Sequence, residues 1–389
     1  MKILLLSQFF SSTRGGGEYL FYIMAESLAN NDHQVWIITN KIEDEKYISH
    51  KNIKIIFVPP ILKYQGGLPP SIKDNIQYLL NATKTGLKII KHNNIDIVHS
   101  NNFTPAFVGG LLSLLTSKKH ITSVWDIFTL CGCDYWKKWA KQIGVSKINQ
   151  YIGPIFEKLS LKIKCDAFHT ISNASKEDLI KFGIKKPIHV IPPTIKEIQT
   201  VNNTYKNKQF IYLGRLVFYK NIEVLIKAIK IVKKEDKEIK LIIVGGGPQL
   251  KKIQKTIEDL DLQDNVITKG YVNTKEKLGL ISESNALLFP SVCEGFGLVI
   301  LEAFSQNKPV LVSNIRPMSD IIEHKKTGFV LDPDDENIWA KHITKLVRDS
   351  QESEKMGKNG YELLKTNYNQ DIMYEKLIKM YNDILITKS

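Results

Sequence analysis

Short apolar segments alternate with longer amphipathic ones along most of this chain of 389 residues. The apolar segments are rich in valine and isoleucine and often uninterrupted, which is typical of strands buried on both faces of a parallel sheet. The amphipathic segments have the spacing of helices that cover such a sheet. The alternation therefore predicts an α/β fold built on doubly wound parallel sheets.

The alternation occurs twice. In the first half, strands are expected at residues 3–7, 34–39, 53–58, 95–99, 121–124, 167–171 and 189–191, with helices such as 18–30 and 72–92. In the second half, strands are expected at residues 210–213, 239–244, 266–268, 286–289, 310–312 and 329–331, with helices at 221–234, 249–260 and 298–306. The polar, aperiodic residues 196–208 between the halves are expected to be a linker.

The two halves predict two Rossmann-like domains, an N-terminal one at residues 1–195 and a C-terminal one at residues 205–367. The helical pattern near the C-terminus is too long for one crossover, so its last helix, about 368–389, is expected to pack back onto the first domain. Two such domains facing each other would place the carboxyl ends of both sets of strands on one cleft, where open α/β folds bind ligands.

Composition limits the location and the partners. The longest apolar run, residues 106–115, is too short to span a membrane, and the four cysteines show neither a disulfide framework nor zinc-ligand spacing, which favours a cytoplasmic protein. The net charge of +14 is concentrated in residues 1–200, where 25 Lys and Arg face 15 Asp and Glu. No nucleic-acid partner is expected, because this excess is diffuse and no known module is present. An anionic membrane surface or a lysine-rich genomic composition would each account for it.

The stretch from Ser291 to Phe304, SVCEGFGLVILEAF, predicts a ligand site. A strand, a glycine turn and a helix in this order aim free backbone amides at a point beyond the end of the strand, and such amides bind anions. Glu294 in the turn and Glu302 in the helix bracket that point. Carboxylates accept hydrogen bonds from sugar hydroxyls, so the pattern suits a ligand with a sugar on each side of a phosphate, namely a nucleotide sugar. The alternative is a solvated Glu294 and an ordinary surface pair at Glu302.

Other turns of the second half carry cations and glycines. Gly214 and Arg215 follow its first strand and Lys220 precedes the next helix, so both cations are expected beside the amides of Phe296, Gly297 and Leu298, where they would neutralise a diphosphate. Generic surface cations are the alternative. Glycine turns that would let a backbone approach a ligand closely occur around Gly16 and at Gly247, and the backbone of Tyr271 and Val272 could bind a nucleobase edge.

The order of these motifs resembles the retaining glycosyltransferases of family 4, which have the GT-B fold, over essentially the whole chain. The first motifs are a glycine pair near the N-terminus, then Gly-Arg followed by Lys-Asn, then Gly-x-Gly-Pro. The last motif is a pair of glutamates eight residues apart, of which the first begins the sequence Glu-Gly-Phe-Gly. The resemblance implies that Arg215 and Lys220 hold the donor diphosphate without a metal and that Glu302 binds the ribose. It also implies that Glu294 and the backbone of Phe296 and Gly297 contact the transferred sugar.

The sequence departs from the family pattern at two places. Asn101 stands where many members have a histidine that reaches the donor sugar, and Trp125 precedes Asp126 where many members have His-Asp. Asn101 can still donate a hydrogen bond to a sugar hydroxyl, and Trp125 could offer a stacking face. Asp126 is either a contact to the acceptor or a turn residue, and His99 is either a core histidine or a ligand.

The function that these features predict is the transfer of a sugar from a UDP- or GDP-linked donor to a hydroxyl of a glycan or lipid-linked acceptor, with retention and with no cofactor. In the family, the leaving phosphate is thought to take the acceptor proton, so that no protein nucleophile is needed. The alternatives are a nucleotide-sugar epimerase of the same fold and a non-catalytic sugar-nucleotide binder.

Aromatic residues and lysines interleave between Trp136 and Lys141. Tryptophan favours the headgroup region of a bilayer and lysine is drawn to anionic lipids, so this segment predicts peripheral binding to the inner face of the cell membrane. The alternative is an amphipathic helix whose tryptophans pack on the domain and whose lysines are solvated.

Overall fold

The computed structural model describes residues 1–13, 15–63, 71–131, 134–142, 147–196 and 208–387, of which residues 147–150 are described by their backbone alone. Apart from its two end residues, the expected linker at 196–208 lies outside the described residues. The chain divides into two compact units. Unit 1 comprises Met1–Trp136, Ser146–Thr194 and Gln370–Ser389, and unit 2 comprises Lys137–Val145 and Ile195–Asn369.

Strands and helices alternate in chain order in both units. The elements that the structure describes up to residue 194 are β1 (Lys2–Leu6), α1 (Gly16–Asn30), β2 (Gln34–Ile42), β3 (Ile53–Leu62), α2 (Ile72–Asn93), β4 (Ile97–Asn101), α3 (Thr104–Thr116), β5 (Lys119–Ser123), α4 (Tyr135–Gln142), α5 (Lys147–Leu161), β6 (Ala167–Thr170), α6 (Asn173–Lys181) and β7 (Ile188–Val190).

The elements from residue 208 onwards are β8 (Gln209–Leu213), a short 3-10 helix (Phe218–Lys220), α7 (Ile222–Lys233), β9 (Lys240–Val244), α8 (Leu250–Asp259), β10 (Val266–Gly270), α9 (Thr274–Ser282), β11 (Leu287–Phe289), α10 (Leu298–Ser305), β12 (Val310–Ser313), α11 (Met318–Ile321), β13 (Gly328–Leu331), α12 (Glu336–Arg348), α13 (Ser350–Asn367) and α14 (Gln370–Ile386).

Each unit has its own parallel sheet. In the described part of unit 1 the strand order is β3-β2-β1-β4-β5-β6-β7, and in that of unit 2 it is β10-β9-β8-β11-β12-β13. The order reverses next to the first strand of each unit, because the chain winds to one side of that strand and then to the other. The predicted α/β fold with two doubly wound parallel sheets is thus confirmed. Every expected strand is present, with its ends shifted by a few residues at most.

The helices cover both faces of the sheet in unit 1. One core cluster joins alternate residues of β1 and β2 to α2 and α3, and it includes Leu4, Trp36, Tyr78 and Leu112. On the other face α1 contacts α14, and Tyr374 and Tyr381 of α14 hydrogen-bond to His33 at 3.0 Å and to His99 at 2.8 Å. The last helix of the chain is therefore part of unit 1.

The cysteines differ from the expectation drawn from their spacing. Cys131 and Cys293 are each disulfide-bonded, whereas Cys165 is a buried free thiol. The expectation that the cysteines make no disulfides is therefore wrong at two positions, because spacing along the chain does not reveal which thiols a fold brings together. Among the described residues, no helix is long and apolar enough to cross a membrane.

Candidate functional site

The turn between β11 and α10 has the conformation that the sequence predicts. Gly297 caps the N-terminus of α10 at φ 94°, in the left-handed region, and a Cβ there would lie 3.1 Å from the Phe289 ring. No side chain caps this helix. The turn thus needs glycine, and no side chain competes with an anion for the N-terminus of α10 at the carboxyl end of the sheet.

Glu294 and Lys220 form an ion pair beside this turn. Their side chains are only 13% and 10% exposed, respectively. The Lys220 ammonium also lies 4.8 Å from the centroid of the Phe289 ring, so the last residue of β11 makes a cation–π contact with it. The sequence assigned these two residues to neighbouring groups of one ligand, the sugar and the diphosphate, and the structure brings their charged ends together.

Arg215 lies on the segment that leads from β8 to Lys220. Its side chain is exposed, and its Nη2 donates to the Tyr219 hydroxyl at 2.8 Å. The buried Tyr212 hydroxyl donates to the Arg215 carbonyl at 3.0 Å, and burial raises the pKa of Tyr212 well above its ordinary value. Because Tyr212 stays protonated, it holds the backbone at Arg215 in place while the guanidinium reaches outward.

Asn221 fixes the segment that leads into α7. Asn221 precedes the helix but adopts a left-handed conformation at φ 49° and makes no side-chain cap. Its amide donates instead to the Pro333 carbonyl at 2.7 Å. Asn221 thereby ties the Lys220 segment to the loop that follows β13, which helps to fix the position of Lys220.

Glu302 accepts a hydrogen bond from Lys277 of α9, with 2.6 Å between Nζ and Oε1. Their side chains are 17% and 27% exposed. Sequence reasoning missed Lys277, because a contact between residues 25 positions apart has no local signal. The site in unit 2 therefore contains two carboxylates, each with its own lysine, on either side of the α10 turn.

Three glycine turns end the neighbouring strands β8, β9 and β10. Gly214 has φ 151°, and a Cβ on Gly245 would lie 1.9 Å from the Gly214 carbonyl oxygen. A Cβ on Gly247 would lie 2.5 Å from the Leu216 carbonyl oxygen. These turns pack backbone against backbone, and side chains would separate them.

Tyr271 covers the β9 turn. Its hydroxyl lies 3.4 Å from the Gly246 carbonyl, and a Cβ on Gly246 would lie 2.6 Å from its ring. The ring is 80% exposed, while Val272 is partly buried. An exposed aromatic ring at the carboxyl end of a strand can stack on a planar base.

The residues singled out in unit 1 fall into two groups. Gly16 begins α1 and is exposed, and Asn101, the last residue of β4, is partly buried and accepts from its neighbour's backbone amide at 2.9 Å. Asp126 is partly buried. His99 and Trp125 belong instead to the core.

His99 is a core histidine. It is fully buried, with Nδ1 on the Tyr381 hydroxyl at 2.8 Å and Nε2 on the Ser123 hydroxyl at 2.7 Å. Ser123 continues the chain of hydrogen bonds to His169 at 2.9 Å. Both ring nitrogens of His99 are used within unit 1, so the interpretation of His99 as a ligand is wrong.

Trp125 also packs inside unit 1. Its ring meets Phe21 and His169 edge-on, with centroids 5.9 and 5.1 Å apart, and the residue is 8% exposed. Gly17 leaves room for the indole, since a Cβ there would lie 3.0 Å from it. The expected stacking face of Trp125 is therefore occupied by protein.

Trp136 of α4 is buried as well. It is 8% exposed, its ring meets Phe128 at 5.9 Å, and its Nε1 donates to Glu157 at 3.4 Å. Lys137, Lys138 and Lys141 are exposed. For this tryptophan the structure agrees with packing on the domain, so Trp136 is not available to a membrane surface.

Among the described residues, no group of three or more His, Cys, Asp and Glu side chains is placed to hold a metal ion. The two carboxylates of the unit 2 site, Glu294 and Glu302, are each paired with a lysine.

Family models match both halves of the chain. A model described as "Glycosyltransferase Family 4" matches residues 14–197, and a model described as "Glycosyl transferases group 1" matches residues 194–363. Together they cover residues 14–363, which include every residue of the unit 2 site.

Curated proteins that are similar along the chain include glycosyltransferases. An uncharacterized glycosyltransferase of Methanocaldococcus jannaschii is 27% identical over 86% of this chain and 86% of its own. The poly(ribitol-phosphate) alpha-N-acetylglucosaminyltransferase of Staphylococcus aureus is 30% identical over 56% of this chain and 44% of its own.

Solved structures share the fold over the full length. Sucrose-phosphate synthase from Thermosynechococcus elongatus has a TM-score of 0.82 at 20% identity and covers 99% of each chain. HepE from Anabaena, solved with UDP and glucose, has a TM-score of 0.75 at 17% identity and covers 98% of this chain and 99% of its own.

Proposed function

Because the chain belongs to the family 4 glycosyltransferases of the GT-B fold, we propose that it transfers a sugar from a nucleoside diphosphate sugar to a hydroxyl of a glycan or lipid-linked acceptor, with retention of configuration. The observation that carries the proposal is the pair of carboxylate–lysine contacts, Glu294 with Lys220 and Glu302 with Lys277, on either side of the open N-terminus of α10.

Each group of the site has a role in the proposed donor complex. The amides of Phe296, Gly297 and Leu298 and the cations Arg215 and Lys220 bind the diphosphate. Glu302 accepts from the ribose hydroxyls, and Glu294 accepts from the transferred sugar. The glycine turns at Gly214 and Gly247 let the nucleotide lie against the backbone, the base is bound at Tyr271 and Val272, and Gly16 of unit 1 approaches the phosphates.

The ion pair between Lys220 and Glu294 keeps two poorly exposed charges neutralised. An arriving diphosphate brings negative charge to the same ammonium and competes with the carboxylate for it. Glu294 then becomes free to accept hydrogen bonds from sugar hydroxyls. Donor binding and orientation of the sugar are coupled in this way through one lysine.

In the proposed reaction, the acceptor oxygen bonds to the anomeric carbon on the face from which the diphosphate departs. The acceptor proton moves to an oxygen of the leaving phosphate, so no protein nucleophile is required. Arg215, Lys220 and the α10 amides stabilise the charge that develops on the diphosphate. Asn101 and Asp126 of unit 1 are proposed to contact the transferred sugar or the acceptor.

A thermal-shift screen with UDP-glucose, UDP-N-acetylglucosamine and GDP-mannose tests donor binding. The crystallised complex of HepE with UDP and glucose makes the uridine donors the first choice. A donor at a hundred times its dissociation constant should stabilise the protein by about 2.7 kcal/mol. Stabilisation by none of a full panel of UDP- and GDP-sugars would remove the proposal. Isomerisation of the donor in the absence of an acceptor would instead identify an epimerase.

We propose that the protein works in the cytoplasm, where nucleotide sugars are made, and at the inner face of the cell membrane, where lipid-linked acceptors are present. Trp136 is packed in the core of unit 1, and the segment between Trp136 and Lys141 offers the exposed Lys137, Lys138 and Lys141 to such a surface.

A further inference from the structure

Three helices of unit 1 lie side by side on one face of its sheet. α2 packs against α3, and α3 packs against α5. Since crossovers between parallel strands are right-handed, the strand order puts these three helices on one face of the sheet and α1, with its contact to α14, on the other. We call the outer side of the three helices the α2–α3–α5 surface.

The outer row of α2 changes from apolar to basic along its length. Ile72, Ile76 and Leu80 are 54%, 52% and 64% exposed. They are spaced by four residues and therefore lie in one row on the helix. The same row continues with Lys84 and Lys88, which are also exposed. An outward row of isoleucine and leucine is not needed for the core, because Tyr78 and Ala82 fill the inward side of the helix.

The other two helices extend the apolar area. The rings of Phe107 in α3 and Phe156 in α5 stack at 5.2 Å and are partly exposed, so they join the two helices into one surface. The same two helices carry aliphatic side chains that are half-exposed or more: Leu114 and Leu115 of α3, and Ile155 and Leu159 of α5.

The charge of this surface is positive. α2 contains four lysines and a single carboxylate, Asp74, and α3 has no charged residue. On α5 the carboxylate of Glu157 is buried and accepts from the Phe128 amide at 2.7 Å, while Lys158 is exposed. Lysines therefore accompany the apolar area, and accessible carboxylates on these helices are few.

We propose that the α2–α3–α5 surface docks on an anionic lipid bilayer. Aliphatic side chains enter the boundary between headgroups and acyl chains, and the lysines of these helices contact the lipid phosphates. A second copy of the chain fits less well. Each copy has a net charge of +14, and the lysines of two such surfaces would repel each other. The proposal uses a different segment from the one between Trp136 and Lys141, and it does not rest on the donor site.

Vesicle flotation of the full chain tests the docking. The wild-type protein should float with vesicles of phosphatidylglycerol and phosphatidylcholine at low salt and should be released by high salt or by pure phosphatidylcholine. The double variant Leu114→Glu with Leu115→Glu should lower the vesicle affinity at least tenfold, since it puts two charges into the apolar area. Lys84→Glu with Lys88→Glu should lower it by about fivefold per lysine or more.

Ile386→Glu is the matched control, because Ile386 is 78% exposed on α14 and lies on the other face. It should bind vesicles like the wild type, and all variants should keep their melting temperature and donor affinity, which separates docking from the proposed transfer. A wild-type protein that stays at the bottom of the low-salt gradient overturns the proposal. So does unchanged binding of the Leu114 and Leu115 variant, or a soluble dimer, seen by light scattering, that this variant splits.

Discussion

Lys277 of α9 donates to Glu302 of α10 across 2.6 Å, and both side chains are partly buried beside the turn that opens α10. An ammonium this close leaves a carboxylate little freedom to rotate, so Lys277 is a positioning residue for Glu302. A carboxylate held in one orientation can accept from both hydroxyls of a ribose at once.

Lys277→Met should raise KM for the donor about tenfold or more and change kcat little. Charge-assisted hydrogen bonds contribute about 1.5–3 kcal/mol, and the variant leaves Glu302 free to rotate. It should also reduce the preference for a ribose over a 2′-deoxyribose donor. Steady-state kinetics with both donors checks this. Lys275→Met, an exposed residue of the same helix, is the control and should be neutral. An unchanged ribose preference in Lys277→Met would rule out the positioning role.

The pair between Lys220 and Glu294 should be coupled in stability. Lys220→Met should cost about 3–5 kcal/mol, because it leaves a poorly exposed carboxylate without its counter-ion. The double variant with Glu294→Gln should recover part of this loss. Urea denaturation of the single and double variants measures the coupling, with the exposed Lys227→Met as control. Additive losses would show that the two side chains do not interact in solution.

Stability should fall as the pH drops below about 6.5. Burial lowers the pKa of His169 to about 3 and that of His120 to about 4. Between these values and the ordinary histidine pKa, the unfolded chain binds more protons than the folded one, so the free energy of unfolding rises with pH in this window. At pH 5 the loss should be about 2 kcal/mol for each such histidine.

Denaturant unfolding at pH 5 and pH 7 checks the size of this loss, and His169→Gln should make the pH dependence shallower. A free energy of unfolding that is equal at the two pH values would contradict the burial of neutral histidines.

Chelation should leave the transfer reaction intact. In the proposed donor complex, Arg215 and Lys220 supply the positive charge that a metal would otherwise bring to a departing diphosphate. Activity in excess EDTA, measured as release of the nucleoside diphosphate, checks this. Loss of activity that magnesium or manganese restores would show that a metal takes part.

The sequence predicts the strands of both units well, because uninterrupted Val and Ile runs between glycine turns have few alternatives. The turn at Gly297 is equally predictable from its local pattern. Contacts between distant segments are not predictable from local patterns. The pairing of Lys277 with Glu302, the amide of Asn221 on the Pro333 carbonyl and the burial of Trp125 and Trp136 depend on how helices and loops meet after folding. The disulfide-bonded state of Cys131 and Cys293 was missed for the same reason.

The most direct measurement of the proposed function is proton NMR of a reaction that contains an α-linked nucleoside diphosphate sugar and a hydroxyl acceptor. The account predicts that the anomeric signal of the donor is replaced by an α-glycoside signal as the nucleoside diphosphate is released, and that Glu302→Gln slows both changes together. A β-glycoside as the first product, or turnover that Glu302→Gln and Lys220→Met leave unchanged, would contradict it.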